Sequence, residues 1–237
     1  MQRFAKWHIW LGWLAGVPIV MWMLSGLFMA ARPIDEVRGN HLRMTSEQEA
    51  LALPSDLVAG IDKPAKEIRF IMQDGRAVAL VTAMDDDVHR FDLENGAPLP
   101  SVDEEKARSM VAKQIVGGED VASVRLFDAN SVPFEFRRPM PVWQVVLDEG
   151  THVYVGRNTG QIEAVRTRWW RAFDFMWGLH IMDLQTRKET SHPILIIFAS
   201  FGVFASILGC ILMFRRRKAR VIARQTSETR TITLAKE

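Results

Sequence analysis

Residues 192–214 read HPILIIFASFGVFASILGCILMF, and Arg215-Arg216-Arg217-Lys218 follow directly. From Pro193 to Phe214 the run holds 22 residues without a charge. A hydrocarbon core of about 30 Å takes about 20 apolar helical residues to cross, so this stretch is long enough to span a bilayer. Lys and Arg are retained on the cytoplasmic side of such spans, which sets the side on which this one ends. Ala199, Gly202, Ser206 and Gly209 recur at helical spacing and share one face, with His192 at its head. A narrow face of small residues admits close approach of another helix or of a flat ligand.

Toward the N-terminus lies a second uncharged run, Ile9–Ala31, preceded by Arg3 and Lys6. It is longer than the apolar core of a signal peptide, about 7–15 residues, and Phe28-Met29-Ala30-Ala31 makes a poor cleavage site. The run therefore reads as an uncleaved helix. With both basic flanks inside, residues 1–8 and 215–237 are cytoplasmic ends and residues 32–191 lie outside. Within the first helix His8, Gly12, Gly16 (or Ala15) and Ile19 form a stripe, with Ser25 and Gly26 at its far end. The Gly12-x-x-x-Gly16 pair is expected to pack on the second span, with pairing to a second copy as the alternative. Pro18 is expected to bend the helix, and Trp7, Trp10 and Trp13 sit where interfacial aromatics do.

The charge distribution agrees. The chain has 30 Lys and Arg and 28 Asp and Glu in its 237 residues. Two of the bases lie in residues 1–8 and eight in 215–237, so the middle keeps 20 bases against 26 acids. A pI of about 8.8 thus describes the ends. It marks contact with anionic lipid and no nucleic-acid interface. Cys210 is the single cysteine, so no disulfide can form within the chain and the outer domain must stand on its core.

Between the spans the sequence alternates turns and short strands. Glu67–Gln73 and Ala77–Thr82 flank the hairpin signal Asp74-Gly75, and Val88–Leu93 lies between Asp85-Asp86-Asp87 and Asn95-Gly96. A helix is expected from Asp103 to about Val116, ended by Gly117-Gly118. Strands then follow at Val121–Asp128, Pro141–Leu147, Thr151–Gly156 and Gln161–Arg166. A further polar helix is expected at Thr45–Leu57. His89-Arg90-Phe91 and His152-Val153-Tyr154 stand at matching points, so a helix followed by an antiparallel meander is used twice. The fold class is α+β, with two transmembrane helices flanking an extracytoplasmic domain. Such alternating strands are expected to bury one face.

Residues 168–191 return to the membrane. Trp169, Trp170, Phe173, Phe175, Met176 and Trp177 make an aromatic segment too short and too charged to span, which reads as an interfacial helix at 168–191. It carries Leu179-His180-Ile181-Met182-Asp183.

Three groups of residues now line up. Trp7-His8-Ile9-Trp10-Leu11-Gly12 enters a helix ending Leu24-Ser25-Gly26-Leu27, the helix-plus-meander unit is doubled at 32–167, and Leu179-His180-Ile181-Met182-Asp183 precedes His192-Pro193 and a span at 192–214 with Gly209 near its end. In these the chain resembles the PepSY-associated transmembrane family across nearly its whole length. The resemblance implies two PepSY-like units in a periplasmic domain, and a bacterial inner membrane as location. Larger four-span relatives imply inner-membrane reductases that carry b-type haem and act on iron–siderophore complexes. PepSY modules elsewhere imply a binding or inhibitory role beside a partner such as a peptidase. This chain departs from the reductase pattern in having two spans, so a four-helix bundle would take two copies, as a homodimer or within a larger membrane complex.

For haem b the candidate ligands are His8, His180 and His192. A bis-imidazole site needs two histidines facing across a gap that small residues leave open. On antiparallel spans His8 and His192 lie at opposite surfaces, about 30 Å apart, and cannot share an iron. His180 with His192 outside, or His8 with its twin inside, remain, with Met29 and Met213 as weaker partners. Asp183, one turn beyond His180, is placed to orient that imidazole. His89 and His152 are explained by the repeat, and His41 stands alone. No phosphate loop, nucleophile–base pair or zinc-ligand spacing is present. The two readings are a haem-bearing or accessory subunit of transmembrane electron transfer linked to iron uptake, and an anchored module that binds or restrains a periplasmic partner.

Overall fold

The computed structural model describes residues 2–44 and 65–234, so the helix expected at Thr45–Leu57 lies outside the described residues. The chain divides into two compact units: residues 1–31 with 173–237, and residues 32–172.

The sheet-rich unit holds two antiparallel sheets. β1 (Ala65–Gln73), β2 (Arg76–Ala83) and β3 (Val88–Asp92) form the first in that order. β4 (Val121–Phe127), β5 (Val142–Leu147), β6 (His152–Gly156) and β7 (Ile162–Arg166) form the second in that order. The strands fall within one or two residues of the sequence reading because the turns are chemically specified. Gln73 pairs with Arg76 across a two-residue loop in which Asp74 (φ 51°) and Gly75 (φ 75°) both take the left-handed backbone that a type I′ hairpin demands. The doubling also appears in the first strand of each sheet, where a register shift falls between Ala65 and Glu67 in β1 and between Val121 and Ser123 in β4.

The helix before the second sheet, α3 (Glu104–Gln114), starts where Asp103 accepts a hydrogen bond from the Lys106 amide at 2.8 Å. Its face of Ala107, Met110 and Val111, with Ile115 beyond it, packs on Val145, Leu147, Val153, Val155 and Val165. The other face of this sheet is covered too. Residues 128–141 fold back over it, and Phe136 packs with Val142, Tyr154 and Ala164. One-sided burial therefore fails for the second sheet, because Val153-Tyr154-Val155 presents bulky side chains to both faces. The first sheet meets the β6–β7 turn, where Gln73 donates to the carbonyls of Thr159 (2.8 Å) and Gly160 (2.6 Å).

The other unit is helical. α1 (Gln2–Ala30) runs unbroken through Pro18, and α5 (Pro193–Leu234) continues well past the apolar run. Between them come the later turns of α4 (Arg168–His180) and a connection at 181–192. α1 and α5 are antiparallel: His8 lies against Gly209, and Ile19 against Gly202. Ala15, Ala205 and Leu208 are buried in the seam. Gly12 and Gly16 are not part of it. A Cβ added at either would meet nothing within 4 Å, so the glycine pair faces away from α5, contrary to the packing its spacing suggested. Only 11% of the apolar window in Phe4–Ala30 and 6% of that in Pro193–Arg215 are buried. Helices that leave Trp10, Trp13, Val17, Leu27 and Phe214 uncovered are not core helices of a soluble protein, and lipid is the solvent that suits them.

Candidate functional site

His180, the last residue of α4, is held by the far end of α1. Its Nδ1 lies 3.1 Å from Ser25 Oγ, and its ring tilts against Trp22 with centroids 5.4 Å apart. Ser25 Oγ also donates to the Trp22 carbonyl at 2.9 Å. A hydroxyl has one proton; given to Trp22, it leaves Ser25 to accept from His180, and in that tautomer Nδ1 carries the imidazole proton and Nε2 keeps a free lone pair. Gly26 completes the seat: a Cβ there would stand 3.3 Å from His180 Cε1. A histidine whose Nδ1–H is anchored and whose Nε2 is left over is oriented as metal-ligating histidines are.

Asp183 does not orient that ring. Its carboxylate accepts from the backbone N–H groups of Thr186 (2.9 Å), Lys188 (3.1 Å) and Glu189 (3.3 Å), and from the Thr186 hydroxyl. The Thr186 hydroxyl first, then these amides, hold the Asp183 carboxyl well below the usual range. The role expected of Asp183 thus passes to Ser25, and Asp183 instead ties the connection after α4. Arg187 strengthens that tie through an ion pair with buried Asp174 at 2.6 Å, and Trp177 Nε1 donates to the Arg187 carbonyl at 3.2 Å.

His8 sits near the opposite end of α1, with Cε1 3.1 Å from where a Gly209 Cβ would stand. Its Nδ1 is buried and has no hydrogen-bond partner. Beside it a groove of about 610 Å³ runs along α1, lined by His8, Gly12, Trp13, Gly16, Val17 and Val20. His192 precedes α5 and caps it through its backbone, its carbonyl accepting from the Ile196 amide at 3.2 Å, while its Nδ1 is buried and unpartnered. No hydrogen bond or ring contact joins His180 to His192 among the described residues. His8 and Gly26 are 18 residues apart on α1, which at 1.5 Å per residue is about 27 Å.

These residues fit a haem in part. His180 offers an imidazole seated on Ser25 and Gly26, and Gly12 and Gly16 leave open space along α1 beside His8. His180 and His192 belong to the same end of the antiparallel pair and His8 to the other, where a bis-imidazole iron needs its second imidazole from another copy. Among the described residues no three His, Cys, Asp or Glu side chains gather into a metal site.

The domain histidines diverge despite their symmetry. His89 is half-exposed, 3.9 Å from Asp87. His152 is enclosed, its Nδ1 2.5 Å from Glu135 Oε1, which also accepts from Tyr154 Oη at 2.5 Å. The sequence reading missed Glu135 and the contact of Ser25 with His180. Glu135 lies in a stretch with no periodicity. Ser25 was flagged only as a small residue, and its signal was the Leu24-Ser25-Gly26-Leu27 ending of the first span.

No curated protein and no solved structure matches the chain significantly. One family does, described as PepSY-associated TM region, and it matches residues 5–235. The match takes in both apolar helices, the domain between them, and each of the three histidines at the membrane boundaries. The chain is a membrane protein that belongs to the PepSY-associated TM family.

Proposed function

We propose that this protein is a haem b-bearing or accessory subunit for electron transfer across a bacterial inner membrane, linked to iron acquisition, in which His180 would hold the haem. The observation that carries the reading is the Ser25 hydroxyl. It stands 3.1 Å from His180 Nδ1, and with its proton on the Trp22 carbonyl it accepts from Nδ1 in the tautomer that leaves Nε2 available. Bound haem b supplies one-electron transfer at its iron. The residues of the chain do the rest. Ser25 fixes the ring of His180, Gly26 leaves the ring room, and Asp183 with Arg187 and Asp174 anchors the turn that follows. At the His8 end a second copy would supply the second imidazole, so the working form is a homodimer or a larger assembly. His8, beside the Gly12 and Gly16 groove, is the candidate for the other surface. The basic residues at 215–218 support cytoplasmic termini and a periplasmic domain.

The test is the absorption spectrum of full-length protein purified in detergent from haem-replete cells. A reduced b-type spectrum is expected. His180→Ala should abolish or halve it, and Ser25→Ala should weaken haem retention by about 10–100-fold, the usual cost of losing the partner that orients a ligand. A colourless preparation sinks the reading and leaves the anchored periplasmic binding module as the function to pursue.

A further inference from the structure

The groove beside His8 lies within the apolar span Phe4–Ala30 and holds about 610 Å³. Gly12 and Gly16 line it, and a Cβ added at either meets nothing within 4 Å. Trp13, Val17 and Val20 line it too, and all three are exposed. A glycine face of this kind lets a second helix approach until the backbones touch.

α5 is not that second helix. It meets α1 along a neighbouring line, where Ala15 is buried and where Ile19 and His8 lie against Gly202 and Gly209. α1 therefore carries two contact faces, and the chain itself fills one of them. His8 belongs to both. Its Cε1 stands 3.1 Å from the place of a Gly209 Cβ, and its ring also lines the groove. Its Nδ1 is buried with no hydrogen-bond partner, so any partner of this imidazole comes through Nε2. Acyl chains can fill the groove but offer that nitrogen nothing. Ionisable side chains in membrane spans turn to protein neighbours for this reason.

Symmetry identifies the neighbour. Two copies inserted in the same sense are related by a twofold axis along the membrane normal, and each residue then stands at the depth of its twin. Parallel packing of α1 on α1 brings Gly12 and Gly16 onto their twins. One turn earlier on the same face, it brings His8 onto His8. A second copy thus supplies both the close-packed surface and the group for Nε2.

We propose that the Gly12–Gly16 groove is the contact between two copies of this chain, with α1 parallel to α1 and the two His8 rings facing each other across the axis. This rests on the electron-transfer reading for the purpose of the paired imidazoles, and it adds the face and the orientation of the dimer. The test is disulfide cross-linking of the full-length protein in native membranes, in a Cys210→Ser background that removes the native thiol. Val20→Cys, in the groove, should yield a cross-linked dimer. Leu14→Cys, exposed and on the opposite side of the helix from Gly12 and Gly16, should yield none. Adding Gly16→Ile to Val20→Cys should cut the dimer severalfold, whereas Gly16→Ala, which keeps the face small, should retain it. Equal cross-linking at positions 14 and 20, or none at either, overturns the proposal and leaves lipid in the groove. Haem separates the two readings. A Val20→Cys dimer formed in haem-depleted cells supports the interface whatever becomes of electron transfer, and haem-loaded protein that gives no such dimer overturns the interface alone.

Discussion

Burial alone would raise the Glu135 carboxyl, yet hydrogen bonds from His152 and Tyr154 outweigh it and hold the group below its ordinary value. A depressed carboxyl stabilises the fold above its unfolded pKa, near 4.3, and that contribution is lost as pH falls through the folded value. Acid unfolding of the domain should therefore steepen below about pH 4.3, and Glu135→Gln should flatten that limb in a thermal titration. Tyr154 shifts upward, through burial first and then the bond to Glu135, so its share is present below about pH 10 and fades above it. Tyr154→Phe removes a bond to a charged acceptor and should cost about 1.5–3 kcal/mol in equilibrium unfolding at neutral pH. None of this was legible from sequence. Glu135 meets His152 and Tyr154 across 17 and 19 positions, and nothing in Phe134-Glu135-Phe136 announces it. The symmetry of His89 and His152 predicted like roles, but among the described residues a segment folded over the sheet supplies a carboxylate to His152 alone.

Among the elements, α1 carries the sharpest contrast. Gly209 of α5 has room for no more than a small addition before His8, whereas Gly12 and Gly16 open away from α5. Gly209→Val should displace His8 and loosen the seam, lowering the unfolding temperature in detergent by several degrees. Gly12→Ala should leave the seam intact and gain up to about 1 kcal/mol of helix propensity. Equal losses from both substitutions would contradict this assignment of faces. The Gly-x-x-x-Gly spacing was readable as a surface for close approach. Which neighbour it serves was not, because a single sequence fixes the face of a helix but not its azimuth against a partner. Strand limits were far more legible, since Asp74-Gly75, Glu149-Gly150 and Asn158-Thr159-Gly160 each specify a turn by backbone chemistry. The seat of His180 fell between these cases: Ser25, Gly26 and His180 were each noticed, and the 155 residues between Ser25 and His180 hid their contact.

For the molecule as a whole, two units with separate cores imply two separable losses of structure. Ile115 is fully buried between α3 and the second sheet, so Ile115→Ala should cost the domain about 2–5 kcal/mol. The chemistry assigned to His180 rests on contacts within the helical unit and should keep its optical signature in that variant at temperatures where the domain still holds. Differential scanning calorimetry beside absorption separates the two. A haem spectrum lost in step with the domain transition would show that the units depend on one another.

α5 has 42 helical residues, about 63 Å at 1.5 Å per residue, against a hydrocarbon thickness of about 30 Å. Roughly half of it therefore stands beyond the hydrocarbon as a helical continuation of the span. A rigid helix of that length is a lever. Tilting the span by about 10° displaces the far end of α5, near Leu234, by about 5 Å. Small adjustments at the Gly202 and Gly209 seam would be magnified into movements large enough for a protein on that side of the membrane to detect.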